Sequence, residues 1–320
     1  MSGRPGLVGV LDVGCFSARL VIVDPTRHSL LRPVLTHKVR LRLDQALDER
    51  DRITKPGVQQ LVTALREVRR IAERAEVSTL VPFATSVIRD SANAEQVVED
   101  VAKRSGITLG VFTGGEEARL SYLAARHWFG WAAGDLLVLD VGGGTVEIAV
   151  GEGHTPTIAR SLPLGARTLS RAWLDDGKTS EHKLRELREH AAERVGAVLG
   201  VEPTDHLRAV GCSKVFQQLA RLAGARPQRE GVFVPRKLTL GDLRKWIPRL
   251  AVTTARGRAR LPGISQHRAQ QSLAGAVVAE ALMTAGGRDV VEICPWSTTE
   301  GLLLTLVEQQ GAGAGAVRVA

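Results

Sequence analysis

The chain has 320 residues, of which 44% are hydrophobic and 24% are charged, so it can bury the cores of two modest domains. It has no run of 18 apolar residues, and its start lacks a cleavage region, so neither a membrane span nor export is expected and a cytoplasmic location is predicted. The three cysteines, Cys15, Cys212 and Cys294, form no CxxC pair, which argues against a disulfide framework and against a zinc site.

The formal net charge is +9, and its distribution along the chain is uneven. Residues 226–268 contain eleven lysines and arginines but only Glu230 and Asp242 as acids. The net charge of this segment, +9, therefore equals the net charge of the whole chain. The segment could steer a polyanion, or it could be an arginine-rich surface that reflects codon usage. Nucleic acid is not expected as a partner, because aromatic residues make up only 4% of the chain and no zinc finger or helix-turn-helix pattern is present.

The first half of the chain alternates between predicted strands and helices. Residues 7–14 and 18–24 are apolar and β-branched and flank a tight glycine turn, which predicts a hairpin. An amphipathic helix over 57–76 follows, with Pro56 near its start. The other predicted elements of this half are a strand over 79–84, a helix over 93–105 that ends before Gly106, and a strand over 107–112. This alternation predicts a layered α/β domain.

The second half opens with the same pattern as the first. Residues 136–141 and 145–150 again predict two strands around a glycine-rich turn, and the tetrapeptide LDVG at 11–14 recurs at 139–142. The later predicted elements are helices over about 180–199 and 213–223, a strand over 207–210, a small-residue helix over 272–285, and capping-box helix starts at Thr239 with Asp242 and at Ser297 with Glu300. The repeat predicts two structurally related domains that face each other.

An aspartate at the end of a buried strand, followed by a glycine turn, suits phosphate chemistry. The carboxylate can hold Mg²⁺, and the exposed amides of the turn can bind phosphate oxygens. Asp12 precedes such a turn in the first copy of the repeat, and Asp140 precedes the sequence GGGT at 142–145 in the second. A single glycine turn is a weak signal, whereas two copies, each with its aspartate, favour a phosphate site.

Several segments of the chain carry longer motifs. The sequence LDVGGGTVEIAV at 139–150 and residues 11–24 are similar to the two phosphate motifs of the superfamily that holds actin, the sugar kinases and the heat-shock chaperone ATPases. Narrower motifs are ATSVIRD at 84–90, TGGEEARL at 113–120, SLPLG at 161–165 and EICPW at 292–296. With these, the chain resembles the exopolyphosphatase and guanosine pentaphosphate phosphohydrolase family from about residue 7 to residue 303.

The resemblance implies an α/β fold of two related ribonuclease H-like, or actin-like ATPase, domains with an interdomain cleft. The expected domains are residues 1–132 and 133–297, with a helix at about 298–310 that packs back on the first domain and a disordered tail at 311–320. Longer family members add helical C-terminal domains that extend the polymer groove. A chain with only the two core domains is therefore expected to prefer short polyphosphate.

The resemblance also implies roles for individual residues. Glu117, the second acid of GEEAR, corresponds to the general base that activates water, and Arg89 to a catalytic arginine that binds phosphate oxygens. Asp12, Asp140 and Glu147 would hold Mg²⁺, and a monovalent cation such as K⁺ is left open as a second ion. The implied phosphate-binding residues are Gly14, Ser17, Arg89, Gly142, Gly143, Gly144 and Thr145.

Two positions depart from the family pattern. Many members have GSNS or GSNT after the first aspartate, whereas this chain has GCFS at 14–17, so that Phe16 replaces a polar amide. This change could narrow the choice of substrate, slow turnover, or mark a protein that binds its ligand without hydrolysing it. The sequence VGCSK at 210–214 has one glycine where ATP-using relatives tend to have two, which argues against a kinase.

Three hypotheses for function follow. The first is a Mg²⁺-dependent exopolyphosphatase that removes terminal orthophosphate from inorganic polyphosphate without a covalent intermediate. The second is removal of the 5′ γ-phosphate from guanosine pentaphosphate, and the third is a binding or regulatory protein for the same ligands with hydrolysis impaired by Phe16. Homodimers occur in the family, so a homodimer is a further expectation.

Overall fold

A computed structural model describes residues 6–27, 32–175, 177–199 and 207–311 of the chain. Contacts along the chain group into two compact units: the first is Met1–Thr113 with Thr299–Ala320, and the second is Gly114–Thr298. Within the described ranges, no helix combines the length and the apolar character that crossing a membrane requires.

In its described part, the first unit is built on a five-stranded mixed sheet. Its strands, in the spatial order β3-β2-β1-β4-β5, are β1 (Leu7–Val13), β2 (Ser17–Val23), β3 (Leu35–Arg40), β4 (Val77–Ala84) and β5 (Gly110–Val111). β1 pairs antiparallel with β2, which confirms the predicted hairpin, and parallel with β4. This pairing places Asp12 opposite Arg19 on one side and opposite Phe83 on the other.

One face of this sheet packs on helices to form the apolar core of the first unit. The helices of this part of the chain are α1 (Lys55–Arg74), α2 (Ser86–Arg89) and α3 (Ala94–Ser105). Leu11 and Leu20 of the sheet share one buried cluster with Leu65 of α1 and Val101 of α3. Gly106 ends α3 in the left-handed conformation with a φ of 75°, the position at which the sequence predicts a glycine C-cap.

The described part of the second unit contains a six-stranded mixed sheet. Its strands, in the spatial order β10-β11-β9-β6-β7-β8, are β6 (Leu136–Val141), β7 (Val146–Gly151), β8 (Ile158–Leu162), β9 (Arg208–Cys212), β10 (Lys237–Thr239) and β11 (Val290–Ile293). β6 pairs antiparallel with β7 and parallel with β9, so Asp140 lies between Glu147 and Cys212. The strands around β6 follow the same order as those around β1, and the two LDVG copies therefore occupy equivalent places in the two sheets.

Helices of the second unit pack against this sheet and against each other. They are α4 (Gly114–Phe129), α5 (Ala166–Trp173), α6 (Glu181–Leu199), α7 (Ser213–Leu222), α8 (Leu240–Ala251), α9 (Ala255–Arg258) and α10 (Ser272–Ala285). The small residues of α10 permit close packing, because a Cβ added at Gly275 would lie 2.9 Å from a methyl group of Val215 on α7. Thr239 caps α8 as its spacing to Asp242 predicts: its hydroxyl accepts a hydrogen bond from the Asp242 amide at 3.0 Å.

The compact units and the predicted domains assign α4 differently. The prediction assigned residues up to 132 to the first domain, whereas α4 packs on β6, β7 and β8 and belongs to the second unit. Glu117 therefore shares a unit with Asp140 and Glu147 rather than with Asp12 and Arg89. The last helix, α11 (Thr298–Gly311), groups with the first unit from Thr299 onward. Of the predicted disordered tail, residues 312–320 lie outside the described residues.

Candidate active site

Asp140 is a buried carboxylate at the carboxyl end of β6, with 6% of its surface exposed. Its Oδ2 accepts hydrogen bonds from the hydroxyls of Ser297 at 2.6 Å and Ser121 at 3.0 Å. Burial raises the pKa of Asp140, and the hydrogen bonds from the serine hydroxyls oppose that rise. The carboxylate is thus held in a fixed orientation by two short polar side chains.

Glu117 reaches the same region from the first turn of α4. It is 6% exposed, whereas its neighbour Glu116 is exposed to solvent. Ser121, which donates to Asp140, lies four residues after Glu117 and so on the same face of the helix. The helical period therefore turns Glu117 toward the end of β6 and Glu116 away from it.

Glu147 completes a group of three buried carboxylates. It lies opposite Asp140 on the neighbouring strand β7 and is also 6% exposed. The hydroxyl of Ser161, its cross-strand partner on β8, donates a hydrogen bond to Glu147 Oε1 at 3.0 Å. Burial raises the pKa of Glu147 well above its ordinary value, and the negative charges of Glu117 and Asp140 raise it further. Three acids in mutual repulsion favour the uptake of a cation or a proton.

The glycine-rich turn between β6 and β7 lies directly beside these acids. The amide of Gly142 donates to the carbonyl of Thr145 at 2.9 Å and closes the turn. Among the described residues, no protein group accepts a hydrogen bond from the amides of Gly143 or Gly144. Two successive amides without a protein acceptor are suited to bind an anion such as a phosphate oxygen.

The carbonyls of the same turn are occupied by the start of α5. The Gly143 carbonyl accepts from the Arg167 amide at 2.8 Å, and the Gly144 carbonyl accepts from the Gly165 amide at 3.0 Å. The contact is so close that a Cβ at Gly165 would lie 2.3 to 2.4 Å from backbone atoms of Gly143 and Gly144. The SLPLG segment thus fixes the conformation of the turn, and only glycine fits at its last position.

The donor set of the second unit suits a hard divalent cation. Carboxylate and hydroxyl oxygens are the ligands that Mg²⁺ and Ca²⁺ prefer, and Asp140 and Glu147 lie opposite each other on adjacent strands. Burial raises the pKa of Glu147, and the negative charges of Glu117 and Asp140 raise it further; a bound cation would offset that negative charge. The residues therefore fit a bound metal ion.

In the first unit, Asp12 has a different environment from Asp140. Its Oδ2 accepts a hydrogen bond from the Thr299 hydroxyl at 3.2 Å, and its cross-strand neighbour Arg19 forms an ion pair with Glu300 at 3.2 Å. Burial raises the pKa of Asp12 to about 6, while the positive charges of Arg19 and Lys38 act in the opposite direction. Asp12 is therefore a carboxylate among cations.

Arg89, predicted to bind phosphate, donates hydrogen bonds to Asp90 and Phe112 of the first unit. Its guanidinium donates to both carboxylate oxygens of Asp90, at 2.8 and 3.3 Å, and to the carbonyl of Phe112 at 3.1 Å. Arg89 ends α2, which begins just beyond β4 and thus beyond the strand that is parallel to β1. The side chain of Asp90 is half exposed, so a bound phosphate would compete with an exposed acid for this arginine.

The first glycine turn differs from the second in its side chains. The Gly14 amide donates to the Ser17 carbonyl at 2.9 Å, which matches the bond that closes the turn at Gly142. Phe16 is only 7% exposed, and its carbonyl accepts from the Leu41 amide at 2.9 Å. The turn therefore keeps the backbone geometry of its counterpart while it buries an aromatic ring, and the effect of Phe16 on catalysis stays a prediction.

The basic segment at 226–268 is partly structural. Arg258 is 2% exposed and donates to the carbonyl of Leu250 at 2.9 Å, where it caps the end of α8. Arg236 donates to the carbonyls of four residues, which are Arg226, Pro227, Gly231 and Val234. At least these two arginines hold the backbone rather than presenting charge to a ligand.

The hydroxyls around the acids were not among the predicted site residues. Ser121 could have been found from its four-residue spacing to Glu117, and Ser161 from its place in the SLPLG motif. Ser297 was predicted only as a helix start, and Thr299 was not singled out; neither gave a local signal for the site. Ser213 adds a further feature, because it has a φ of 74° directly after Cys212, the neighbour of Asp140; such strain is typical of functional sites.

The chain is similar to proteins of one family over nearly its whole length. Residues 21–310 match the Ppx/GppA phosphatase family. Exopolyphosphatase 1 of Mycobacterium tuberculosis is 42% identical over 310 residues, which cover 96% of this chain and 90% of that protein. Exopolyphosphatase 1 of Mycobacterium leprae is 40% identical over 313 residues, which cover 97% and 92%.

Solved structures show the same similarity. The crystal structure of the Aquifex aeolicus member of the Ppx/GppA family superposes with a TM-score of 0.80 at 25% identity, over 95% of this chain and 98% of that one. An exopolyphosphatase from Cytophaga hutchinsonii gives a TM-score of 0.82 at 20% identity, over 98% and 99%. The similarity to the Cytophaga hutchinsonii structure shows only a common fold, which consists of two α/β units.

Proposed function

Because the chain belongs to the Ppx/GppA phosphatase family, we propose that it is an exopolyphosphatase, a hydrolase that removes terminal orthophosphate from inorganic polyphosphate. The observation that carries the proposal is the group of three buried carboxylates, Glu117, Asp140 and Glu147, beside a glycine turn with two amides that are available to an anion. Such a group combines a base, a cation site and a phosphate site in one unit.

In the proposed reaction, Glu117 acts as the general base. A water oxygen attacks the terminal phosphorus, its proton passes to the Glu117 carboxylate, and the bond from phosphorus to the bridging oxygen breaks. The products are orthophosphate and a chain that is one phosphate shorter. The burial of Glu117, on the face of α4 that also carries Ser121, supports this role.

Asp140 and Glu147 are the proposed ligands of a divalent cation. We assign it as Mg²⁺, because the available donors are carboxylate and hydroxyl oxygens. When bound, the ion would neutralise phosphate oxygens and the negative charge that develops as the bridging bond breaks. The serine hydroxyls of Ser121, Ser161 and Ser297 orient the two ligands.

The amides of Gly143 and Gly144 are the proposed contacts to the phosphate oxygens. The peptide planes that carry these two amides also carry the carbonyls of Gly142 and Gly143, which accept from the amides of Ala166 and Arg167 at the start of α5, so the planes are fixed before substrate arrives. Preorganised donors stabilise the transition state without reorganisation at the moment of reaction. From the first unit, Asp12 and Arg89 keep their predicted roles as metal ligand and phosphate-binding residue, and K⁺ remains a predicted second ion.

The experiment that tests the function is a phosphate-release assay on polyphosphates of defined length and on guanosine pentaphosphate, which ends in the same type of anhydride. We expect Mg²⁺-dependent release from polyphosphate that falls by a factor of about 10² to 10⁴ in Glu117→Gln. Glu116→Gln is the matched control, because the neighbouring acid is exposed and should leave the rate unchanged. Tight ligand binding without phosphate release would support the regulatory hypothesis instead.

Three finer expectations belong to the same proposal. We expect short polyphosphates to be the better substrates. A cytoplasmic location and a homodimer are also proposed. Kinetics on a length series, together with the molecular mass of the protein in solution, would test the first and third of these.

A further inference from the structure

Ser213 combines two unfavourable features at one position beside Asp140. It directly follows Cys212, which the register of β6 and β9 pairs with Asp140. Its backbone has a φ of 74°, a conformation in which a residue with a Cβ is strained. Its hydroxyl oxygen is buried, and no group in the described part of the chain forms a hydrogen bond of ordinary geometry with it. Each feature by itself lowers the stability of the fold.

Helix capping does not explain a serine at this place. Ser213 is the first residue of α7, and a hydroxyl near a helix start commonly accepts a hydrogen bond from a backbone amide. The cap residue is Cys212, whose side chain makes no capping hydrogen bond, and within the described ranges the Ser213 hydroxyl makes none either. A glycine would adopt the same φ without strain and would leave no buried oxygen unpaired.

The Ser213 hydroxyl lies close enough to Asp140 to act on its charge. Burial raises the pKa of Asp140, and the hydroxyls of Ser297, Ser121 and Ser213 oppose that rise. The well-formed hydrogen bonds, from Ser297 and Ser121, both end on Oδ2. Among the residues that the structure describes, none makes a comparable bond to Oδ1. One carboxylate oxygen and the Ser213 hydroxyl are therefore both suited to bind a further group.

The chemistry of these two oxygens selects a hydrated cation as that group. Mg²⁺ binds proteins through one or two carboxylates and keeps several of its waters, which need hydrogen-bond acceptors. An anion would be repelled by the Asp140 carboxylate, and an apolar group would leave both oxygens unpaired. A carboxylate beside a buried hydroxyl thus matches an ion together with one of its waters.

We propose that Ser213 is a positioning residue of the proposed cation site, where its hydroxyl accepts a hydrogen bond from a water molecule of the hydrated ion. The inference rests on the proposed function, which assigns a divalent cation to Asp140 and Glu147. Contacts of this outer kind change metal affinity by a factor of about 10 to 100. The metal-free fold is then destabilised by the very hydroxyl that the hydrated ion requires.

The first test measures thermal unfolding in the presence of a chelator. Ser213→Gly removes both the strain and the unpaired oxygen, so the midpoint of unfolding should rise by about 2 to 4 °C. Glu76→Gly is the matched control, because Glu76 has a φ of 51° and an exposed side chain in the first unit. It should show a similar rise from relief of strain alone. A lower midpoint in Ser213→Gly would show that the hydroxyl stabilises the fold and would overturn the proposal.

The second test measures metal affinity without turnover. Mn²⁺ takes the same oxygen ligands as Mg²⁺, and its dissociation constant can be followed through the EPR signal of the free ion. Ser213→Gly and Ser213→Ala should both raise this constant about 10- to 100-fold, whereas Glu76→Gly should leave it unchanged. Because Ser213→Ala keeps a Cβ on the strained backbone, an equal effect in both variants assigns the loss to the hydroxyl. A loss in Ser213→Gly alone would assign it to the backbone and contradict the proposal.

These measurements separate the role of Ser213 from the proposed function. Unchanged Mn²⁺ affinity in both Ser213 variants overturns the role, even if the wild-type protein releases phosphate from polyphosphate. Weaker Mn²⁺ binding in both variants supports the role, even if the wild-type protein releases no phosphate. If the wild-type protein binds no Mn²⁺, the cation site is wrong and the role of Ser213 is wrong with it.

Discussion

Three carboxylates of the candidate site accept hydrogen bonds from hydroxyl groups. Asp140 accepts from two serines, Glu147 accepts from Ser161, and Asp12 accepts from Thr299. These hydrogen bonds favour the ionised form, whereas burial favours the neutral form. Charged acids are therefore kept at the site at a cost in free energy, which a bound cation would offset.

This cost can be measured at Asp12. Burial raises the pKa of Asp12 to about 6 from 3.8, so between these values the native state holds a proton that the unfolded state releases. The contribution of Asp12 to the free energy of unfolding is greatest below about pH 4 and is lost as the pH rises through about 6. An asparagine at this position cannot ionise. Asp12→Asn should therefore stabilise the metal-free protein by up to about 3 kcal/mol at pH 7.5.

Urea unfolding at pH 4.5 and pH 7.5, in the presence of a chelator, provides the test. The difference in free energy between Asp12→Asn and wild type should be small at the lower pH and large at the higher one. A variant that is equally stable at pH 7.5, or less stable, would show that Asp12 is ionised in the fold without penalty. The same variant should lose most of its phosphate release if Asp12 has its predicted role.

The glycine turn and α5 act as one structural element. The turn supplies the carbonyls that accept from the first amides of α5, and Gly165 brings the two backbones into contact. A methyl group at this position would lie 2.3 to 2.4 Å from backbone atoms, which cannot move aside as a flexible side chain can. Gly165→Ala must therefore displace the amides of Gly143 and Gly144.

We expect Gly165→Ala to reduce kcat about 100-fold and to destabilise the second unit by about 1 to 3 kcal/mol. Gly196→Ala is the matched control, because this glycine lies within α6 and a Cβ there would meet no atom within 4 Å. The control should raise the free energy of unfolding by about 0.5 to 1 kcal/mol. Wild-type kinetics in Gly165→Ala would contradict the proposed coupling of turn and helix.

The elements that could be predicted from the sequence are those with a strong local signal. Both hairpins around LDVG, the helices α1, α3 and α6, and the cap at Thr239 depend on contacts within a few residues, and the structure contains all of them. The edge strands β3 and β8 and the short helix α5 were not predicted, because they are short and have mixed composition. The predicted strand at 107–112 is reduced to Gly110–Val111.

The grouping of side chains required information that local patterns do not contain. The GEEAR motif identified Glu117, but the unit to which its helix belongs is decided by packing of α4 on β6, β7 and β8. Ser297 and Thr299 reach Asp140 and Asp12 from the far end of the chain. Hydroxyls are also poor signals in themselves, because serine and threonine are common at helix starts and turns.

The whole molecule contains two copies of one sheet pattern with opposite charge at one position. Asp12 corresponds to Asp140, but the residue opposite it on the next strand is Arg19 in the first unit and Glu147 in the second. The first copy therefore combines an acid with cations, and the second combines it with further acids. The second unit therefore favours a cation, whereas the first unit places positive charge beside its aspartate.

Metal binding should therefore be visible in the stability of the protein. A ligand at 100 times its dissociation constant stabilises the native state by about 2.7 kcal/mol, so millimolar Mg²⁺ should raise the midpoint of thermal unfolding of wild type by several degrees. Glu147→Gln removes a carboxyl group whose pKa is raised by burial and, further, by the negative charges of Glu117 and Asp140. This variant should be more stable than wild type without metal at neutral pH, and it should gain little from Mg²⁺.

The measurement is specific because Glu147→Gln is expected to be more stable than wild type without metal but to gain less stability when Mg²⁺ is added. A substitution that only damaged the fold would lower the midpoint in both conditions, whereas relief of charge repulsion raises it only without metal. Glu116→Gln, on the exposed side of α4, should behave as wild type in both. If Mg²⁺, Mn²⁺ and Ca²⁺ all leave the wild-type midpoint unchanged, the three acids do not form a cation site, and the role assigned to Asp140 and Glu147 must be given up.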